Sequence, residues 1–164
     1  MNMQNEASTA GEIFKFLSQA VIVGFGWYVV HRLSSARDKD KLRREMLAKT
    51  ADGLCDDLSK LLTLAREYHL NSRDKKNEVS IKIMLQDLSM RTAFLSDLCN
   101  DKDELRRCRS ALINFKKSVS GAHFEDEHTE ALDITEHLFD LMALEYSKVK
   151  SAFVKLKHKQ FPSN

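Results

Sequence analysis

Proline occurs once in the 164 residues, at Pro162, and glycine only five times. These are the residues that most readily end or weaken a helix, so little in the chain interrupts long helical segments, and an all-α fold is expected. Cysteine is scarce and odd in number. Cys55, Cys99 and Cys108 show no C-x-x-C spacing, and each falls inside a helical pattern, as buried thiols in a reducing compartment do. A Gly-rich phosphate loop, G-x-S-x-G and H-E-x-x-H are all missing, which leaves nucleotide hydrolysis, serine hydrolysis and zinc proteolysis without their signatures. No enzymatic activity and no cofactor are expected. An excess of one charge is missing too: the formal net charge is +2, too near balance for bulk nucleic-acid binding, so local patches matter more than the total.

What is present first is an apolar run, IFKFLSQAVIVGFGWYVVHRL, from Ile13 to Leu33. At about 1.5 Å per residue it reaches roughly 31 Å as a helix, close to the hydrocarbon thickness of a bilayer. Lys15 and Arg32 lie near its ends, where long side chains bend their charges back to the headgroups, and Phe16 to Val30 is free of charge. Phe14 and Phe16 at one end, and Trp27 and Tyr28 at the other, have the placement of an aromatic belt. Arg32, Arg37, Lys39, Lys41, Arg43 and Arg44 follow the run, whereas Glu6, Glu12 and Lys15 precede Phe16. The basic side of a span is the cytoplasmic one, so a single-pass helix with the N-terminal tail outside and the rest inside is expected. A cleaved signal peptide fits less well, because the leading residues lack net positive charge. A buried core helix is the other reading of the run. Within the span Ala20 and Gly24 form a small-xxx-small pair and Gly26 adds a second notch, candidate points for helix packing.

Beyond the span the apolar period is helical. Leu47, Ala51, Leu54, Leu58, Leu61, Ala65 and Tyr68 form a heptad seam ending at a turn, with Asn71 as a left-handed cap. A second helix is expected over about 77–99, with Ile81, Met84, Leu85, Leu88, Leu95 and Leu98 on its core face and Arg91 at the seam edge. A third, about 102–119, opens on an Asp101/Glu104 capping box, buries Leu105, Cys108, Leu112, Phe115 and Val119, and stops at Gly121. A fourth runs from near Asp126 to about Gln160 through Thr135, Leu138, Met142, Tyr146, Val149, Phe153 and Leu156. The plan is therefore a flexible tail (1–12), a transmembrane helix (13–33), a basic stalk (34–46), a cytoplasmic antiparallel bundle of about four helices (47–160) and a short tail (161–164).

Two constellations could carry chemistry. Glu125 and His128 make an E-x-x-H, with His123 and His137 nearby, but a di-metal bundle needs a second copy and none is present; acids are also favoured at a helix start without any metal. No metal site is expected. Arg106, Arg107 and Arg109, followed by Lys116 and Lys117, crowd the third helix, and clustered guanidinium groups offer the bidentate donors that suit phosphate. A solvated face balanced by Asp101, Asp103 and Glu104 is the plainer reading of the same residues.

Taken together, Phe16–Val30, the RRCR run at Arg106–Arg109 and the small size give a layout that resembles the membrane-bound effectors of bacterial antiviral defence. More specifically, it looks like the small membrane effector of type III CRISPR systems that binds cyclic tetra-adenylate through its soluble domain. The resemblance implies a bacterial inner-membrane protein with no catalytic residues, a cyclic oligonucleotide ligand, and a homo-oligomer that disturbs the membrane when the ligand binds. The competing reading is a membrane-tethered scaffold whose bundle binds a protein partner and no nucleotide.

Overall fold

Four helices make up the regular structure of the described residues: α1 (Met3–Leu70), α2 (Lys75–Leu98), α3 (Lys102–Val119) and α4 (His137–Gln160). The computed structural model describes residues 3–71, 74–121, 124–125 and 131–160, with side chains from Gly24 onward except those of Ala36 and Gln160. The chain divides into two units, 1–42 and 43–164. Among the described residues no helix is long and apolar enough to cross a membrane. Phe16 to Val23, and with them Ala20, lie outside the described side chains, as do the expected turn residues Ser72 and Arg73 and the linker residues His123, Asp126, Glu127, His128 and Glu130.

In the unit from Arg43 onward the caps account for most helix ends. The Asp74 carboxylate accepts from the Lys76 backbone N–H at 2.9 Å and opens α2; Asp101 accepts from the Glu104 N–H at 3.0 Å and opens α3. The capping box expected at Asp101 is altered, since the Glu104 carboxylate is engaged by Arg107 at 3.3 Å and Lys159 at 2.9 Å. Helix α1 ends differently from expectation as well. Asn71 donates from its side-chain amide to the Glu67 carbonyl at 2.7 Å, satisfying that carbonyl without a left-handed residue. Gly121 has no positive φ either; Ser120 is the C-cap of α3, and Glu125, at φ 71°, is the one non-glycine residue with positive φ among those described.

Cross-helix contacts define an up-down-up-down bundle. Arg43 donates to the Asp97 carbonyl at 3.0 Å and Arg91 pairs with Asp57, so α1 and α2 are antiparallel. Lys116 reaches Ser89 between α3 and α2, and Lys159 reaches Asp101 between α4 and α3. Lys157 bonds Asp52 at 2.8 Å, returning α4 to α1. All seven seam residues of α1 are buried, as are Ile81, Leu85, Leu88 and Leu95 of α2 and the five expected positions of α3. Arg43 takes part in this unit, so the stalk gives way to the bundle earlier than Leu47.

The largest departure is α4, which starts at His137 rather than near Asp126. Ahead of it Asp133 accepts from both the backbone N–H of Thr135, at 2.8 Å, and its hydroxyl, at 2.7 Å, while its carbonyl accepts from Glu136 N–H at 3.0 Å. Short polar side chains that bond their own backbone compete with the helix, and here they win. Thr135 is consequently exposed and outside the seam, which runs through Phe139, Met142, Val149, Phe153 and Leu156. Leu58 is fully buried at the centre of the α1 seam that runs from Leu47 to Tyr68. Leu58→Asp should abolish cooperative thermal unfolding followed by circular dichroism or cost about 4 kcal/mol or more, because a carboxylate would be buried without a partner.

Candidate functional site

Basic residues that are neighbours in sequence part company on α3. At about 100° per residue, Lys102, Arg106, Arg109, Ile113 and Lys116 fall on one flank, toward α2, whereas Arg107 falls on the flank toward α4 and Lys117 points between them. Two adjoining clefts follow the α2–α3 flank. One, of about 320 Å³, is lined by Ser96, Cys99, Lys102, Leu105, Arg106 and Arg109. The next, of about 200 Å³, shares Arg109 and adds Ser89, Thr92, Ala93, Leu112, Ile113 and Lys116. No acidic side chain lines either cleft.

The α3–α4 cleft, of about 350 Å³, also holds cations, Arg107, Lys148 and Lys155, but Glu104 lies among them. Arg107 is engaged by Glu104 at 3.3 Å and Lys148 by Glu145 at 2.6 Å, so only Lys155 of the three is without an acidic partner among the described residues. On the α2–α3 flank the balance is reversed. Arg106 pairs with Asp103 at 3.0 Å, with both side chains more than three-quarters exposed, an arrangement worth little in water. Lys116 donates to Ser89 Oγ at 2.7 Å and so fixes the width of the groove. Lys102 and Arg109 make no ion pair among the described residues.

Of the residues singled out in the sequence, the fold thus brings Arg106, Arg109 and Lys116 together and leaves Arg107 and Lys117 elsewhere. Lys102 was missed; its signal was the 4-3-7 spacing to Arg106, Arg109 and Lys116, which is one helix face. His69 was also missed. It is buried, its Nε2 lies 3.1 Å from the Val119 carbonyl and therefore carries the donated proton, and its own carbonyl accepts from Leu132 N–H at 2.9 Å. It ties the end of α1 to the end of α3 and to the segment before α4.

The thiols face the core. Cys108 is fully buried and desolvation pushes its pKa up to about 12; burial also raises Cys55 and Cys99. A thiol so far from ionisation is a poor nucleophile at neutral pH. Among the described residues no group of three or more His, Cys, Asp or Glu could hold a metal ion. Comparison with known proteins adds no further constraint: no family model, no curated protein and no solved structure matches the chain.

The anchorage of α3 should respond to pH. The Glu104 N–H, and then the Lys159 ammonium, hold the Asp101 carboxyl below its ordinary value. A carboxylate with a lowered folded pKa stabilises above its unfolded value and loses that contribution as pH falls through the folded one. Stability should therefore decline as pH drops below about 4. Asp101→Asn, which retains a capping oxygen but not the charge, should show a shallower decline in acid denaturation; an unchanged slope would remove Asp101 from the account.

Proposed function

We propose that the protein is a membrane-tethered binding module whose helix over 13–33 crosses a bilayer once and whose bundle receives a phosphate-bearing ligand in the α2–α3 groove. The observation that carries the reading lies in the first unit, where Phe25, Trp27, Tyr28, Val29, Val30 and Leu33 are exposed. At 100° per residue these side chains point in every direction around the helix axis. A helix that is apolar all round belongs inside a large core or a membrane, and water is a poor surround for Trp27 at 70% exposure. The polar tips support a bilayer as the cover. Trp27 stacks on His31 with ring centroids 5.3 Å apart, and Arg32 Nε donates to the Tyr28 hydroxyl at 3.2 Å, so rings and charges sit at one level, as at a headgroup boundary. A Cβ built on Gly24 or Gly26 would meet nothing within 4 Å, which leaves both notches open to another helix.

The ligand half of the reading stands on Lys102 and Arg109. Two cations without acidic partners among the described residues, flanked by Arg106 and Lys116 and by serine hydroxyls, suit an oligomeric phosphate better than a single carboxylate. A cyclic oligoadenylate fits that chemistry, and with it the effector reading: ligand binding by symmetric copies and disturbance of the inner membrane, with no catalytic step.

Topology is tested with introduced thiols, since the native ones are poorly reactive. In right-side-out spheroplasts an impermeant maleimide should label Asn5→Cys but not Ser110→Cys, an exposed position on α3, until lysis. Labelling of Ser110→Cys before lysis would overturn the orientation. Binding is tested by calorimetric titration of the full chain in detergent with cyclic oligoadenylates of different ring sizes. Lys102→Ala combined with Arg109→Ala should weaken binding more than tenfold, each lost charge-assisted hydrogen bond being worth about 1.5–3 kcal/mol. Arg107→Ala with Lys117→Ala should change it less than about twofold, given the pairing or outward aim of those side chains. If no ring size produces heat, the ligand half fails and the tethered protein scaffold takes its place.

A further inference from the structure

Helix α2 is apolar on two opposite faces. Its inner face, Ile81, Leu85, Leu88 and Leu95, is buried in the bundle. Its outer face carries Val79, Ile83, Met90 and Phe94 at 52%, 62%, 62% and 46% exposure. Helical geometry gathers these four within about 60° of arc, in a stripe roughly 22 Å long. Arg91 leans from α2 toward α1 and Ser89 faces α3, so the stripe is the outward face of the bundle rather than the wall of a groove.

The stripe is also palindromic. Val79 and Phe94, and Ile83 and Met90, are equidistant from a midpoint between Gln86 and Asp87, and so are Lys76 and Asp97. Laying a second α2 antiparallel on the first, with a two-fold axis at that midpoint, sets Val79 on Phe94 of the second copy and Ile83 on Met90 of the second copy. Lys76 then meets Asp97 of the second copy, and Gln86 meets Asp87 across the axis. Lys76 and Asp97 are exposed and make no ion pair among the described residues. We infer that α2 is a homodimer interface formed by antiparallel, isologous pairing of its outer face. Self-complementarity of both apolar and charged positions about a single axis is what an isologous contact requires, and an unrelated partner would impose no such symmetry. One helix face per copy is smaller than the roughly 800 Å² per partner of a stable interface, so the dimer is weak in dilute solution and favoured where copies are concentrated.

The test is disulfide cross-linking of the full chain in the cells that express it, with the native protein as the control for Cys55, Cys99 and Cys108. Ile83→Cys combined with Met90→Cys should give a dimer on oxidation. Each single variant should not, because like positions across the axis are roughly 10 Å apart along the helices, beyond disulfide reach. Cross-linking of the single variants would indicate another arrangement and overturn the proposal, as would absence of any dimer in the double variant. Charge reversal gives a second readout in that double-cysteine background. Lys76→Asp or Asp97→Lys alone should lower the cross-linking yield at least threefold, and the two together should restore it; failure to restore would also overturn the pairing.

Discussion

Closure of the α1 seam is the constraint on which the bundle depends. Leu47, Ala51, Leu54, Leu58, Leu61, Ala65 and Tyr68 are each no more than 3% exposed, and only the other three helices together can cover a stripe of that length. The polar contacts at the rim of the seam, Arg91 with Asp57, Lys157 with Asp52 and His69 with Val119, then fix the register of the helices around it. The exposed pairs add little energy, but each is possible only at one axial offset. Gly53 belongs to the same arrangement: a Cβ there would meet Arg91 Nη2 at 2.8 Å, so the missing side chain gives the guanidinium its path across α1. Lys60 and Arg91 hydrogen bonds hold the Asp57 carboxyl below its ordinary value, so this contact stays charged further into acid than a free carboxylate would.

The seams were legible because burial acts through period. Every apolar position assigned to α1 and α3 is buried, and α3 has the bounds expected of it. What was not legible was local competition. Acidic residues around Glu125 to Glu130 read as the start of α4, yet Asp133 and Thr135 satisfy one another and delay the helix to His137. Arg91 sits at the seam edge as expected, paired with Asp57, but Thr92, which the apolar period passes over, lies in the buried stripe with its hydroxyl donating to the Leu88 carbonyl at 2.7 Å, so a polar residue is buried without an unmet hydrogen bond.

The candidate site shows the opposite failing, in which closeness in sequence stands in for closeness in space. Arg106 and Arg107 are adjacent in the chain and about 100° apart around α3, enough to place them in different clefts with different partners. Charge density along a sequence thus overstates the cluster by Arg107 and Lys117 and understates it by Lys102. Acidic neighbours decide the rest. Glu104, 3% exposed and engaged by both Arg107 and Lys159, puts a buried acid on the α3–α4 side, while the α2–α3 side has no acid in its lining.

These features meet on α2, which serves the core with one face, walls the basic groove with a flank and carries the palindromic stripe outside. A two-fold axis perpendicular to paired helices leaves corresponding flanks on the same side, so the groove flanks of two paired copies would share one side of the dimer. Lys75 of the second copy would then stand level with Leu98, at the end of the groove that Ser96 and Lys102 line. Pairing would add a cation to a groove already rich in them, a repulsion that a bound polyanion removes. Binding and pairing would accordingly favour one another by equal free energies, since linkage between two equilibria is reciprocal. A bundle with only one apolar face on α2 could hold the same groove, but occupancy of that groove would have no second copy to act upon.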